Sequence, residues 1–345
     1  MIEIEKQELI SLEVIRTLKS RFEKFPQDFT DNRNAPFHEA FLSAFADKLD
    51  GHVESIQVLI SLSSWMHGLN TTLGQSFFEN VAHILSDSEK RIFNDLKISQ
   101  SQQTIIADII TALKNDNRKP NLIAENRLIF SKGKTRMKPV SDFTVDNFYE
   151  DSASIVAIEL KTVEPNSGVF KVEKEKILSA KAALKNAFPN KQIKYYLGFP
   201  FDPLSDSPTE YNKDAFMEHG IDFTKYFAPE EVLLADELWN FLSDDTNTTQ
   251  QILDIINSIA TSEFLDEYNF INDYRNLEID KDRFTNILER WKLLSELKIA
   301  GNFEQINSLG QTIKNVSKYL NQTVFDAEGK YKINRSKRLS ELINT

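Results

Sequence analysis

Glu159 and Lys161 stand two residues apart at the end of the apolar run Ile155-Val156-Ala157-Ile158. In an extended strand, alternate side chains share a face. Val156, Ile158 and Leu160 then point into a core, and Ala157, Glu159 and Lys161 point the other way. The carboxylate and the ammonium start about 7 Å apart along the strand. That is too far for a tight mutual ion pair, but near enough for both to serve one small anion. An acid two residues before a lysine occurs four times in the chain, at Asp95/Lys97, Glu159/Lys161, Glu296/Lys298 and Glu328/Lys330. Glu296/Lys298 falls on a helix, where such positions do not share a face, and two others fall in polar or Gly-containing stretches. Only Glu159/Lys161 closes a continuous apolar strand.

A second acid is expected from the strand before it. A turn at Glu150-Asp151 sets Asp142 opposite Glu159, whereas a turn at Ser152-Ala153 sets Asp146 there instead. Asp142 is preferred because Pro139 closely precedes it in "KPVSD", and Asp146 is the alternative. Facing carboxylates repel unless a cation joins them. Mg²⁺ is hard, oxygen-seeking and commonly shares its shell with phosphate. It would polarise a phosphodiester and acidify an attached water, with Lys161 orienting that water or offsetting the developing charge. The competing expectation is an ordinary half-exposed hairpin with cross-strand charges.

The elements that would carry these residues follow from periodicity. Helices are expected over 1–25, with Leu9, Leu12, Ile15, Leu18 and Phe22 on one side, and over 37–49 and 52–66. Thr71-Thr72 is expected to cap a helix over about 73–86, "LGQSFFENVAHILS", with Phe78, Val81, Ala82 and Leu85 buried. Another carries Ile105, Ile109, Ile110 and Leu113 and stops near Pro120. From Asn126 to Val163 the pattern reads as strands divided by polar turns. A helix over 171–188 and an aromatic strand, "QIKYYLGFPF", follow. Beyond 200 the chain reads as helical, with "PEEVLLADELWNFLS" and helices near 248–261, 283–299 and 303–321, then a basic tail. The division expected is 1–118 helical, contributing the 73–86 helix to the core; 119–200, the α/β core; and 201–345, acidic and mostly helical.

The chain has 345 residues, 41% of them hydrophobic, with 25 Phe, enough for a real core. No 18-residue apolar run is present, so no membrane span is expected. The first residues lack the basic region of a secretory signal. The absence of cysteine excludes disulfides and cysteine zinc sites, and a cytoplasmic setting fits best. A net charge of −11 opposes nucleic acid binding, but the charge is unevenly spread. Residues 201–282 carry 20 acids and 4 bases. Residues 114–138 carry 8 bases and 2 acids, and residues 171–194 carry 7 lysines and 2 acids. Two basic runs therefore bracket Glu159/Lys161. No phosphate-binding Gly loop or His metal motif is present. Trp239 and Trp291 are expected in the core.

Asp142 and Glu159-Leu160-Lys161, followed by a helix and a strand, resemble the PD-(D/E)xK nuclease superfamily over about residues 75 to 200. "NTTLGQSFFENVAHIL" is similar to a helix of type II restriction endonucleases. "ELKTVEPNSG", "YYLGFPFDP" and "APFHEAFL" resemble TdeIII-like members. The resemblance implies a restriction-endonuclease-like mixed sheet flanked by helical regions. It implies Asp142 and Glu159 as metal ligands, Lys161 as the catalytic lysine and Glu79 as an acid near the metal. The "PD" is not contiguous here, since Val140 and Ser141 intervene. It further implies Mg²⁺-dependent cleavage of specific double-stranded DNA, of GGNCC type, by a homodimer paired with a cognate methyltransferase. Lys132, Lys134, Arg136, Asn166 and Ser167 are the expected DNA contacts. The rival functions are a DNA-binding or scaffold protein with an inactive core, and a repair or structure-specific nuclease.

Overall fold

The computed structural model describes residues 1–26, 35–131, 133, 135–162, 167–312 and 314–343. The chain forms two compact units, one of residues 1–2 and 78–252, the other of residues 3–77 and 253–345. Among the described residues no helix is long and apolar enough to cross a membrane.

Among its described residues the first unit has seven strands: β1 (Glu89–Phe93), β2 (Lys97–Ser99), β3 (Met137–Pro139), β4 (Phe143–Glu150), β5 (Ser154–Leu160), β6 (Gln192–Phe199) and β7 (Val232–Leu234). A mixed sheet runs in the order β1-β4-β5-β6-β7, and β2 and β3 form a separate ribbon. β1, β4 and β5 pair antiparallel, while β5-β6 and β6-β7 pair parallel. A parallel pair needs a crossover, and the Ser167–Ala187 helix provides it between β5 and β6. This is the α/β arrangement expected, a mixed sheet with flanking helices.

Both faces of the central strands are covered. Ala157, Tyr195 and Leu197 share a core with Phe170, Ile177 and Leu184 of the crossover helix and Ile106 and Ile110 of the Gln100–Lys114 helix. Val156 and Ile158 are buried on the other face. There, a β-carbon on Gly198 would lie 2.9 Å from Ile158 Cγ2 and 3.0 Å from Leu238 of the Asp236–Ser243 helix. Glycine at this point of β6 lets that helix approach the sheet. Burial on both sides explains why the β5 run is continuously apolar rather than alternating.

The β4-β5 turn differs from the preferred expectation. Asn147 pairs with Ile158 and Glu150 with Ile155. The cause is Asp151, whose Oδ1 accepts from the amides of Ala153 and Ser154, both at 2.6 Å. Ser154 Oγ donates to its Oδ2 at 3.0 Å. Such an Asx turn centres the reversal on Ser152-Ala153. Continued by one residue, the register sets Asp146, not Asp142, opposite Glu159.

Other elements also depart from expectation. Asn126–Ile129 is helical, within Leu122–Ile129, where Asn121 Oδ1 accepts from the Ala124 amide. β1 lies where no strand was expected, and Val232–Leu234 is a strand rather than part of a helix. Thr71 and Thr72 cap nothing. They end the Ile56–Thr72 helix and donate back to the carbonyls of His67 and Gly68. A π-helical turn, Leu73–Phe77, precedes the Phe78–Ser86 helix.

The second unit is helical. The helix expected over 283–299 is two, Lys281–Arg290 and Leu294–Gly301, divided where Lys292 takes a φ of 56°. Trp291 there and Trp239 in the first unit are buried, as expected. At its centre Glu296 accepts two bonds of 2.9 Å from Arg335 Nη1 and one of 2.7 Å each from the Tyr274 and Tyr331 hydroxyls.

Candidate active site

β4 and β5 deliver the acids, and the crossover helix closes over them. Leu160 N donates to Asp146 Oδ2 at 3.1 Å, so this carboxylate is tied to the end of β5 beside Glu159. His83 Nε2 donates to the Asp146 carbonyl at 2.7 Å. The carbonyl only accepts, which fixes the proton on that nitrogen. Lys90 of β1 bridges Asp146 Oδ1 at 3.3 Å and Glu79 Oε2 at 3.0 Å. Glu79, which the resemblance implies as an acid near the metal, is thus one ammonium away from Asp146. Burial works against the Lys90 charge, but Glu79 and Asp146 outweigh it and raise its pKa.

Glu159 is 6% exposed. Its Oε1 accepts from Lys161 Nζ at 3.1 Å and from Lys176 Nζ at 2.9 Å. The expectation that Glu159 and Lys161 stand too far apart for an ion pair fails. Lys161 follows the last strand residue, and its flexible four-carbon stem lets the ammonium bend back. Lys161 also donates to Glu173 Oε1 at 3.2 Å, and Lys176 Nζ lies 3.9 Å from Glu173 Oε2. Two carboxylates and two ammonium groups make a neutral quartet. Burial opposes the Lys161 charge, yet Glu159 and Glu173 prevail and hold its pKa above the ordinary lysine value. In this arrangement Lys161 is a cation, suited to offset negative charge rather than to take up a proton.

Among the described residues of the site, Glu159 Oε2, Glu173 Oε2 and the Tyr195 hydroxyl are buried without a close hydrogen bond, the Tyr195 hydroxyl having Glu159 as a neighbour. Burial first, and then the nearby acids, push the Tyr195 pKa well up. Unsatisfied buried oxygens on a carboxylate are costly without a further donor or a cation. Among the described residues no three or more His, Cys, Asp or Glu side chains assemble as a metal cage. The residues that could hold a cation are a pair of carboxylates with hard oxygens, Asp146 and Glu159. That fits Mg²⁺, which keeps water and phosphate in its shell and needs few protein ligands.

Asp142 lies apart from this set. It is exposed, just before β4, and lines a groove of about 600 Å³ with Ser141, Val172, Glu175, Lys176 and Ser179. Arg136 is exposed, and its carbonyl accepts from Gln100 N at 3.0 Å. Lys132, Lys134 and Asn166 lie outside the described residues, and Ser167 opens the crossover helix. The basic run 171–194 is not one surface. Lys174 and Lys181 are buried: Lys174 Nζ lies 2.7 Å from Glu125 and 2.6 Å from Glu231, and Lys181 Nζ lies 4.0 Å from Glu231. Lys90, Glu173, Lys176, His83 and Tyr195 are the site residues that strand-based reasoning misses. Of these, Glu173 and Lys176 carry a signal, three residues apart on one helix face directly after Lys161.

The family model described as "Type II restriction endonuclease, HinfI" matches residues 2–260. The type II restriction enzyme MjaII of Methanocaldococcus jannaschii is 42% identical, over 98% of this chain and 96% of its own length. The family matched is thus that of HinfI, where the sequence motifs pointed to TdeIII-like enzymes. No solved structure matches the chain.

Proposed function

The chain belongs to the HinfI family of type II restriction endonucleases, and from that premise we propose that Asp146, Glu159 and Lys161 are its catalytic centre, acting with Mg²⁺ on double-stranded DNA. The observation that carries this reading is the β4-β5 register, which supports Asp146 as the acid facing Glu159. Asp146 and Glu159 would hold the ion. When bound, it supplies Lewis-acid polarisation of the phosphate and a more acidic water. Lys161, already cationic, sits beside Glu159 to offset charge that develops on the phosphorus oxygens. Glu79 acts behind Asp146 through Lys90. Covered on both faces, the strands carrying the two acids give them fixed backbone positions.

The finer reading follows from the same resemblances. A GGNCC-type target rests on the likeness of "ELKTVEPNSG" and "YYLGFPFDP" to TdeIII-like enzymes. A palindromic site matches a symmetric homodimer, each protomer cutting one strand. Lys132, Lys134, Arg136, Asn166 and Ser167 are proposed to contact the duplex, most of them at phosphates. The enzyme would work in the cytoplasm beside a cognate methyltransferase.

The test is incubation of the protein with plasmid DNA and Mg²⁺. Discrete fragments with one mapped sequence at every end are expected. A smear, or cutting at junctions only, contradicts the reading. Glu159→Ala and Lys161→Ala are expected to lower cleavage by at least about a thousandfold while specific binding in Ca²⁺ persists.

A further inference from the structure

Resting on the proposed catalytic centre, we infer that Lys176 and Glu173 form a counter-ion exchange that couples metal binding to release of Lys161. Lys176 neutralises Glu159 across 2.9 Å, on the oxygen that Lys161 also uses. It stands one helical turn from Glu173, 3.9 Å from Glu173 Oε2, which is buried and has no hydrogen-bond donor. A short movement of one flexible side chain therefore exchanges one carboxylate for the other.

The exchange has a direction. Lys176 and a divalent ion compete for Glu159, because its Oε1 already holds two ammonium groups and a third cation beside them is repelled. Lys176 yields Glu159 when the ion binds and closes on the waiting Glu173 oxygen. Glu173, then neutralised by Lys176, loosens its hold on Lys161, whose ammonium keeps Glu159 and becomes able to turn toward a phosphate. The Lys176 side chain is 33% exposed and that of Glu173 14%, so the exchange takes place at the solvent edge, where moving a charge is cheap. Lys174 and Lys181, on the same helix, have no such freedom, both being fully buried.

The test uses Lys176→Gln, Glu173→Gln and the double variant in the full chain. Titration with Ca²⁺ alone, without DNA, is expected to show roughly two- to fivefold tighter binding to Lys176→Gln, the competition of a partly exposed pair having gone. Single-turnover cleavage by the same variant is expected to fall on the order of tenfold, since Glu173 keeps Lys161. Adding Glu173→Gln is expected to recover part of that loss, a coupling that independent structural defects would not give. Unchanged or weaker Ca²⁺ binding by Lys176→Gln, or a double variant worse than the product of the single effects, overturns the exchange. Wild-type protein that cuts specifically while the exchange fails leaves the catalytic centre standing. Glu159→Ala with undiminished Ca²⁺ binding removes the centre itself.

Discussion

The crossover helix carries two lysine–glutamate clusters of the same composition and opposite character. On one side Lys161 and Lys176 meet Glu159 and Glu173, with side-chain exposures of 23%, 33%, 8% and 14%. On another, Lys174 and Lys181 meet Glu125 and Glu231, none more than 2% exposed. The first cluster has one shared oxygen, Glu159 Oε1, and two others without a close donor, Glu159 Oε2 and Glu173 Oε2, and its Lys176 borders a groove. In the second, Glu231 accepts from Lys174 at 2.6 and 2.8 Å and from the Ala228 amide at 3.1 Å, while Lys181 Nζ and Glu125 Oε2 are buried without a hydrogen bond, so what sets the two clusters apart is exposure. A dry ion cluster repays desolvation only while it is complete. A half-wet one can trade partners at small cost. The half-wet cluster suits the proposed chemistry, and in the dry one the same residue types serve architecture.

Removing one acid from each cluster separates these roles most widely. Glu231→Ala is expected to cost about 3–5 kcal/mol in urea denaturation, because it strands buried ammonium groups. Glu173→Ala is expected to cost less than about 1 kcal/mol and to act on cleavage instead. Equal stability losses would erase the contrast. A next, smaller effect is a pH dependence. Burial most, against Glu231 and with help from Lys174, lowers the Lys181 pKa to about 8, from 10.5. Between these values the unfolded chain binds a proton that the folded one does not, so stability rises with pH across that window. Measured against Lys181→Met, the wild type is expected to gain up to about 3 kcal/mol between pH 7 and pH 10.5. A flat difference contradicts the buried charge. Smaller again, Gly198→Ala is expected to cost about 1–2 kcal/mol by pressing on Ile158, seen as a lower denaturation midpoint with cleavage kept.

Much of this is legible in the residues themselves, and the failures are local. Glu159 and Lys161 stand out because a strand covered on both faces is written as an unbroken apolar run. The choice between Asp142 and Asp146 turns on Asp151, whose side chain collects two amides and moves the turn by two residues. Proline at 139 carries no such information. Lys174 and Lys181 lie at the same spacing as Phe170, Ile177 and Leu184, all buried. A charge on an apolar stripe signals a buried partner rather than a basic surface. Val232–Leu234 reads as helix because it sits between helix formers, and only pairing with β6 makes it a strand. The partners Lys90, Glu125 and Glu231 come from distant parts of the chain, and no local pattern announces them.

The most direct test sets Asp146→Asn against Asp142→Asn, with cleavage rate and Ca²⁺ affinity measured on both. Asp146→Asn is expected to lose cleavage by at least about a thousandfold and to weaken Ca²⁺ binding. Asp142→Asn is expected to keep both within a few fold of wild type. The reverse outcome, an inactive Asp142→Asn beside an active Asp146→Asn, would contradict the carboxylate pair on which the proposed chemistry stands.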